Sequence, residues 1–263
     1  MKIVVLVKPV PDTYGDRVLS IETGLADRAA SETVLDEITE RALEAAIRHK
    51  ESASDVEVVA MSMAPADAQS TLRKALAMGA DSAVHIADES LAGADLVRTA
   101  EVLAAALRRT GFDLALTGNV STDGTGGVMP AMLAELLDVP AATRLESFEV
   151  GADAVQGTRV TDGGTMTVTA ALPAVVSITE ALPDPRFPAL RGIMGAKKKP
   201  LDAKAAGDVG IDGSLVGADG SRVDCGEFKA PPAKSAGKII EDEDTNETVE
   251  QIVSWLDERK LLA

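Results

Sequence analysis

Apolar positions along the first half of the chain alternate between two spacings. Ile3 to Val7 is a continuous apolar run of the kind buried on both faces of a parallel sheet. Asp36 to Lys50 follows at helical spacing, with Ile38, Ala42, Leu43, Ala45 and Ala46 turned to one side and Asp36 and Glu37 in the first turn, where negative charge is favoured. Val56 to Met63 reads as the next strand and Ala66 to Met78 as the next helix, stopped by Gly79. Ala83 to Ile86 is a short third strand, Ala94 to Arg109 a third helix and Leu114 to Thr117 a fourth strand. This alternation predicts an α/β fold with a doubly wound, mostly parallel sheet.

Beyond Pro140 the spacing changes to every second residue. Thr143 to Val150, Ala154 to Val160 and Thr165 to Ala171 read as an antiparallel meander, its last turn marked by Asp162-Gly163-Gly164. Ala174 to Thr179 is a buried strand. From Leu201 to Lys238 the chain is rich in Gly, Ala, Asp and Pro without sustained period, which predicts an extended arm. An acidic run, Glu241 to Asp244, then leads into an amphipathic helix over Thr245 to Leu262, with Val249, Ile252, Val253, Leu256 and Trp255 on one side. The expected division is an α/β domain over 1–200 and a C-terminal arm with its helix over 201–263.

Two segments carry readable chemistry. After the fourth strand comes Gly118-Asn119-Val120-Ser121-Thr122-Asp123-Gly124-Thr125-Gly126-Gly127, leading into a helix over Val128 to Leu137. Unhindered backbone N–H groups and a helix N-terminus suit a phosphate. The spacing is not that of a P-loop and no lysine follows to reach a terminal phosphate, which disfavours nucleotide hydrolysis. A tight turn is the competing explanation of the glycines. The second segment runs from Ala181 to Pro200. Pro183, Pro185 and Pro188 hold it extended before any helix can begin. Its apolar residues Phe187, Leu190, Ile193 and Met194 stand among Arg186, Arg191, Lys197, Lys198 and Lys199. Either these apolar residues pack back on their own core, or Leu190 is an anchor for a partner with cations to steer it.

The run Pro-Arg-Phe-Pro-Ala-Leu-Arg-Gly-Ile-Met-Gly-Ala-Lys-Lys-Lys-Pro closely resembles the recognition loop of electron transfer flavoprotein β subunits, and the resemblance extends through Arg159-Val160-Thr161-Asp162-Gly163-Gly164 to the first strand. It implies a Rossmann-like, adenine-nucleotide-binding fold in which this chain holds AMP structurally and FAD sits mainly in an α subunit. The implied AMP shell is Leu6 and Lys8, then Asp36, Glu37, Ile38 and Thr39, then Met63, then Gly118 to Met129, with Asn119, Val120, Ser121, Thr122, Asp123, Gly124, Thr125, Gly126, Gly127 and Val128 between. Implied partners are the α subunit, embraced by the C-terminal arm, acyl-CoA dehydrogenases docked on Leu190, and a membrane quinone oxidoreductase that receives the electrons. Two departures stand out. The side-chain amides that many members carry on either side of the Thr125-Gly126 position are missing, and Val160 stands where members often have a glutamate that helps position the flavin domain.

Composition narrows the alternatives. A length of 263 residues with 46% hydrophobic content supports a sizeable core. A net charge of −16 disfavours nucleic acid as a partner. An aromatic content of 2% argues against this chain housing a flavin ring alone, and so against a bifurcating member with FAD in place of AMP. A lone Cys225 excludes an internal disulfide. With no membrane-spanning run and no leader at the start of this sequence, a cytoplasmic carrier is expected. His49 and His85 lack partners at metal-ligand spacing, and no catalytic arrangement is evident. A stand-alone nucleotide-binding regulator of the universal-stress type is the other class compatible with the sheet and the glycine loop.

Overall fold

Val4 and Val5 have no solvent exposure, and the strand that carries them, β1 (Lys2–Leu6), lies inside a parallel sheet of seven strands among the described residues. The computed structural model describes residues 1–263 except 16, 224–226, 231, 234, 235, 238, 241–244 and 263. After β1 come β2 (Pro9–Pro11), β3 (Thr33–Leu35), α1 (Glu37–Ser52), β4 (Glu57–Met63), α2 (Gln69–Met78), β5 (Ser82–Ile86), α3 (Leu96–Thr110), β6 (Leu114–Gly118) and α4 (Met129–Leu137). The second half holds β7 (Ala141–Leu145), β8 (Ser147–Val150), β9 (Ala154–Thr161), β10 (Gly164–Ala171), β11 (Ala174–Ile178), α5 (Leu190–Ala196), β12 (Leu201–Lys204), α6 (Gly217–Gly220) and α7 (Thr245–Glu258).

The sheet order is β12-β5-β4-β1-β6-β11-β7. From β1 the chain builds outward through β4 and β5, then returns to the other side with β6, so the order reverses between β1 and β6. Open α/β sheets bind ligands at the carboxyl ends of strands at such a reversal. Alternate residues of β1 face opposite layers. Ile3 and Val5 join a core that includes Leu43 and Ile47 of α1 and Leu72 and Leu76 of α2. Val4 and Leu6 join a second core with Leu103 and Leu107 of α3 and Leu133 of α4. These are the two layers that the alternation of strands and helices predicts.

The second half departs from the sequence reading in two places. Thr143 to Val150 is not one strand of the meander. Ala141–Leu145 pairs in parallel with β11 in the main sheet, whereas Ser147–Val150 pairs antiparallel with β9 in a three-stranded sheet. The chain changes sheets at Glu146, whose N–H donates to the Thr158 carbonyl at 2.8 Å. An alternating pattern reports burial of one face and is blind to which sheet does the burying. The second departure concerns the arm. Leu201–Lys204 pairs with β5 as an edge strand, and Ala206, Val209 and Val216 are buried in the second core. The compact unit therefore runs over Met1–Phe228, past the division expected at residue 200, and Lys229–Ala263 forms a separate unit containing α7. No α7 side chain is buried. Cys225 and the acidic run 241–244 lie outside the described residues.

Helices α2 and α5 are cross-clamped through their carboxyl ends. Arg73 of α2 donates to the Ala196 and Lys199 carbonyls at 2.8 and 2.9 Å, and the Lys199 ammonium donates to the Leu76 and Ala80 carbonyls at 2.9 and 2.6 Å. Each cation thus satisfies carbonyls that a helix end leaves without partners. Gly192 permits the approach: a Cβ there would stand 2.4 Å from the Ala77 carbonyl oxygen. In an exposed helix, alanine in place of glycine would stabilise by about 1 kcal/mol. Here the contact reverses the sign, and Gly192→Ala should destabilise the unit by roughly 1–3 kcal/mol, read from the denaturant midpoint.

Candidate functional site

The carboxyl ends of β1 and β6 are joined by one buried carboxylate. Asp36, fully buried, caps α1 by accepting from the Ile38 and Thr39 amides through Oδ1, both at 3.1 Å. Its Oδ2 accepts from the Thr122 N–H at 2.7 Å and the Thr122 hydroxyl at 3.0 Å, 86 residues further on. The Asp36 N–H in turn donates to the Lys8 carbonyl at 2.9 Å, which ties the start of α1 to the end of β1. A Cβ on Gly118 would stand 2.9 Å from Ile38 Cγ2, so β6 comes this close to α1 only because that residue is glycine.

Lys8 crosses the crevice. Its ammonium donates to Ser121 Oγ at 3.1 Å and to Asp123 Oδ1 at 2.7 Å. Burial opposes ionisation of Asp123, but hydrogen bonds from Lys8 and Ser121 together with the Lys8 charge hold its carboxyl below the usual range. The loop then turns with Thr125 N–H on the Ser121 carbonyl at 3.0 Å and with Thr125 and Gly127 in the left-handed region, at φ 49° and 67°. No side chain caps α4. Among the described residues no hydrogen bond within the chain engages the exposed amides of Gly126, Gly127 and Val128 just before it. Three open donors at a helix N-terminus, beside a lysine that balances the local aspartate, have the chemistry to receive an anion such as phosphate.

The other expected shell residues distribute around this crevice. Leu6 is buried and Met63 half-buried at the ends of adjacent strands β1 and β4, both against the second core. Ile38 and Thr39 are buried at the start of α1. Glu37 points outward and accepts from the Thr13 hydroxyl at 3.4 Å. Asn119 donates its N–H to the Ile178 carbonyl at 2.8 Å and accepts from the Val120 N–H through its side chain, which fixes the first turn of the loop. Leu96 was not foreseen: 51% exposed at the start of α3, it lies 3.8 Å from where a Gly126 Cβ would stand. Only the juxtaposition of two loops distant in sequence reveals it. His85 is buried, with Nε2 3.0 Å from the Ala64 carbonyl oxygen, and no metal-binding cluster occurs among the described residues.

The segment expected to dock a partner lies elsewhere. Phe187 is 96% and Leu190 74% exposed, and Ile193 and Met194 are also exposed, so these side chains do not pack back on the core. Arg191, Lys197 and Lys198 are exposed, whereas Lys199 belongs to the clamp on α2 and Arg186 is engaged by Glu44 and Glu51. The turn leading into α2 follows β4 at the crevice end of the sheet, and α5 packs at the opposite end of α2, so the crevice and the apolar segment are separated by the length of that helix.

Two outcomes follow. Asp36→Ala should cost about 2–4 kcal/mol in chemical denaturation, because it removes a cap and strands the Thr122 donors. The lowered Asp123 carboxyl means that the stability of its pair with Lys8 is present above the ordinary aspartate value and lost as pH falls through the folded one. Thermal melts of the wild type and Asp123→Asn should therefore differ at about pH 6 and draw together as the pH falls below the ordinary aspartate value.

Known proteins match this chain over nearly its whole length. The family model for the electron transfer flavoprotein domain matches residues 23–209. An electron transfer flavoprotein subunit beta of Mycobacterium tuberculosis is 42% identical over 265 residues, covering 99% of each chain. The subunit beta of Bacillus subtilis is 33% identical over 263 residues, and the caffeyl-CoA reductase-Etf complex subunit CarD of Acetobacterium woodii is 31% identical over 263 residues, each covering 100% of both chains. With this coverage and with the fold in agreement, the chain belongs to the electron transfer flavoprotein β-subunit family.

Proposed function

We propose that this chain is the half of an electron transfer flavoprotein that holds AMP structurally, supports a FAD-bearing α subunit and docks acyl-CoA dehydrogenases, so that electrons pass onward to a membrane quinone oxidoreductase. The observation that carries the docking role is the exposure of Phe187 and Leu190 on a segment immobilised at its far end by the Arg73 and Lys199 clamp. Exposed apolar groups on a rigid support lose little entropy when a partner covers them. A relative named for a caffeyl-CoA reductase complex supports a partner that acts on CoA thioesters.

The residues present fit a nucleotide monophosphate. The Gly126, Gly127 and Val128 amides and Lys8 would take the phosphate, and Leu6 and Met63 supply apolar surface near the ends of β1 and β4. Separation of this crevice from Leu190 along α2 supports a structural role for the nucleotide, away from any docked partner. Flavin in the α subunit would supply the redox chemistry. No helix among the described residues is long and apolar enough to cross a membrane, so exchange with a quinone oxidoreductase would be by docking. Membership of the electron transfer flavoprotein family leaves the stand-alone regulator without support.

The chain is to be expressed with and without its α subunit, and small molecules released by acid are to be identified by mass spectrometry. AMP with this chain and FAD only in the heterodimer is the expected result; FAD in this chain alone overturns the AMP assignment. For docking, Leu190→Ala should slow flavin reduction by an acyl-CoA dehydrogenase about tenfold, in line with loss of roughly 1.5 kcal/mol of apolar burial, while leaving nucleotide and flavin content intact.

A further inference from the structure

We propose that Arg186 is a positioning residue rather than a docking charge: seated on Glu44 and Glu51 of α1, it fixes where the apolar residues beside it are presented. This rests on the docking role of the segment proposed above.

The seat is a single stripe on α1. Arg41, Glu44, Arg48 and Glu51 follow one another at intervals of three, four and three, which places all four on one face of the helix. Glu44 is the centre of it, with only 3% of its side chain exposed. Its carboxylate accepts from the Arg186 backbone N–H at 3.2 Å, from Nε at 2.7 Å, from Nη2 at 3.1 Å and from Arg48 Nε at 2.6 Å. Glu51 takes the other edge of the guanidinium, with Nη1 at 2.5 Å and Nη2 at 2.8 Å. One turn before Glu44, Arg41 donates to the Leu182 carbonyl at 2.6 Å and pairs with Asp184 at 2.5 Å. The stripe therefore grips the chain at residues 182, 184 and 186, immediately before Phe187.

Two physical consequences separate positioning from steering. A guanidinium that donates to two carboxylates has its charge cancelled locally, so little field remains to draw in an anionic partner. The planar fork, held on both edges, fixes the direction in which the backbone leaves residue 186. Pro185 and Pro188 on either side fix their own φ angles and limit rotation that would otherwise dissipate that direction before Leu190. With α5 clamped on α2 beyond, the apolar residues are presented from a span supported at both ends.

The test uses the heterodimer and measures flavin reduction by an acyl-CoA dehydrogenase over a range of ionic strength, with flavin content and melting temperature recorded for every variant. Arg186→Lys, which keeps the charge and loses the fork, and Glu44→Gln, which loosens the seat, should each raise the KM for the dehydrogenase about tenfold with kcat little changed. Arg186→Lys, which conserves charge, should leave the slope of log kcat/KM against ionic strength unaltered, whereas Arg191→Gln, at an exposed cation, should flatten it. Wild-type kinetics in both Arg186→Lys and Glu44→Gln overturn the proposal. So does an Arg186→Gln variant that flattens the salt dependence while Arg186→Lys behaves as wild type, because that is the behaviour of a steering charge. If Leu190→Ala has no effect, the docking role itself falls; a slow Leu190→Ala beside wild-type Arg186→Lys and Glu44→Gln removes only the positioning role.

Discussion

The Asp36 carboxylate is the contact on which the crevice depends. With no exposure to solvent it answers donors on both sides, the first turn of α1 through Oδ1 and Thr122 of the loop after β6 through Oδ2. A buried carboxylate is tolerated only when hydrogen bonds replace its hydration, and four donors do so here. Once α1 and the loop are joined in this way, the loop can expose the amides before α4 instead of turning them inward. The local cap of a helix and the shape of a possible anion site are thus one feature.

Helices α1 and α2 each serve two regions. Their amino-terminal turns lie at the crevice end of the sheet, and their later turns hold the segment between β11 and β12: α1 through its Arg-Glu-Arg-Glu stripe, α2 through Arg73 and the carbonyls taken by Lys199. The arrangement separates two demands that conflict at a single place. An anion site needs uncapped amides and a cation, whereas a docking surface needs uncovered apolar side chains. The proposed anion site and the proposed docking surface stand at opposite ends of α2, so each has its own surroundings. The arrangement also gives the cations around Leu190 unequal work, with Arg191, Lys197 and Lys198 facing solvent and Arg186 and Lys199 engaged inside the chain.

Strand and helix alternation through β6 was legible because each element there buries one or two complete faces and so imposes its period on the sequence. The elements that were missed are too short or too sparsely buried to impose one, even β2, which is buried at all three of its positions. β12 has four residues, only two of them partly buried, and is held by backbone pairing to β5, which leaves no period to read. β2 and β3, three residues each, pair with one another across a long connection. The division of 141–150 between two sheets left no mark because β8 alternates as a meander strand would, whereas β7 buries Ala142 and Leu145 three residues apart across an irregularity at Arg144, where φ is 60°, and so shows no period of its own.

By itself the sequence determined the layered parallel fold, the glycine-rich turn before α4 and the proline-stiffened apolar segment, because these follow from periodicity, from backbone freedom and from fixed φ angles, all local properties. Tertiary structure alone decided what the charged residues do. Arg186 and Arg191 stand five positions apart among the same neighbours, yet one lies against the buried Glu44 and the other in water. That difference comes from the packing of α1 against a chain more than a hundred residues later, and the effect of a charge depends on what lies within a few ångströms of it rather than on its neighbours in the sequence.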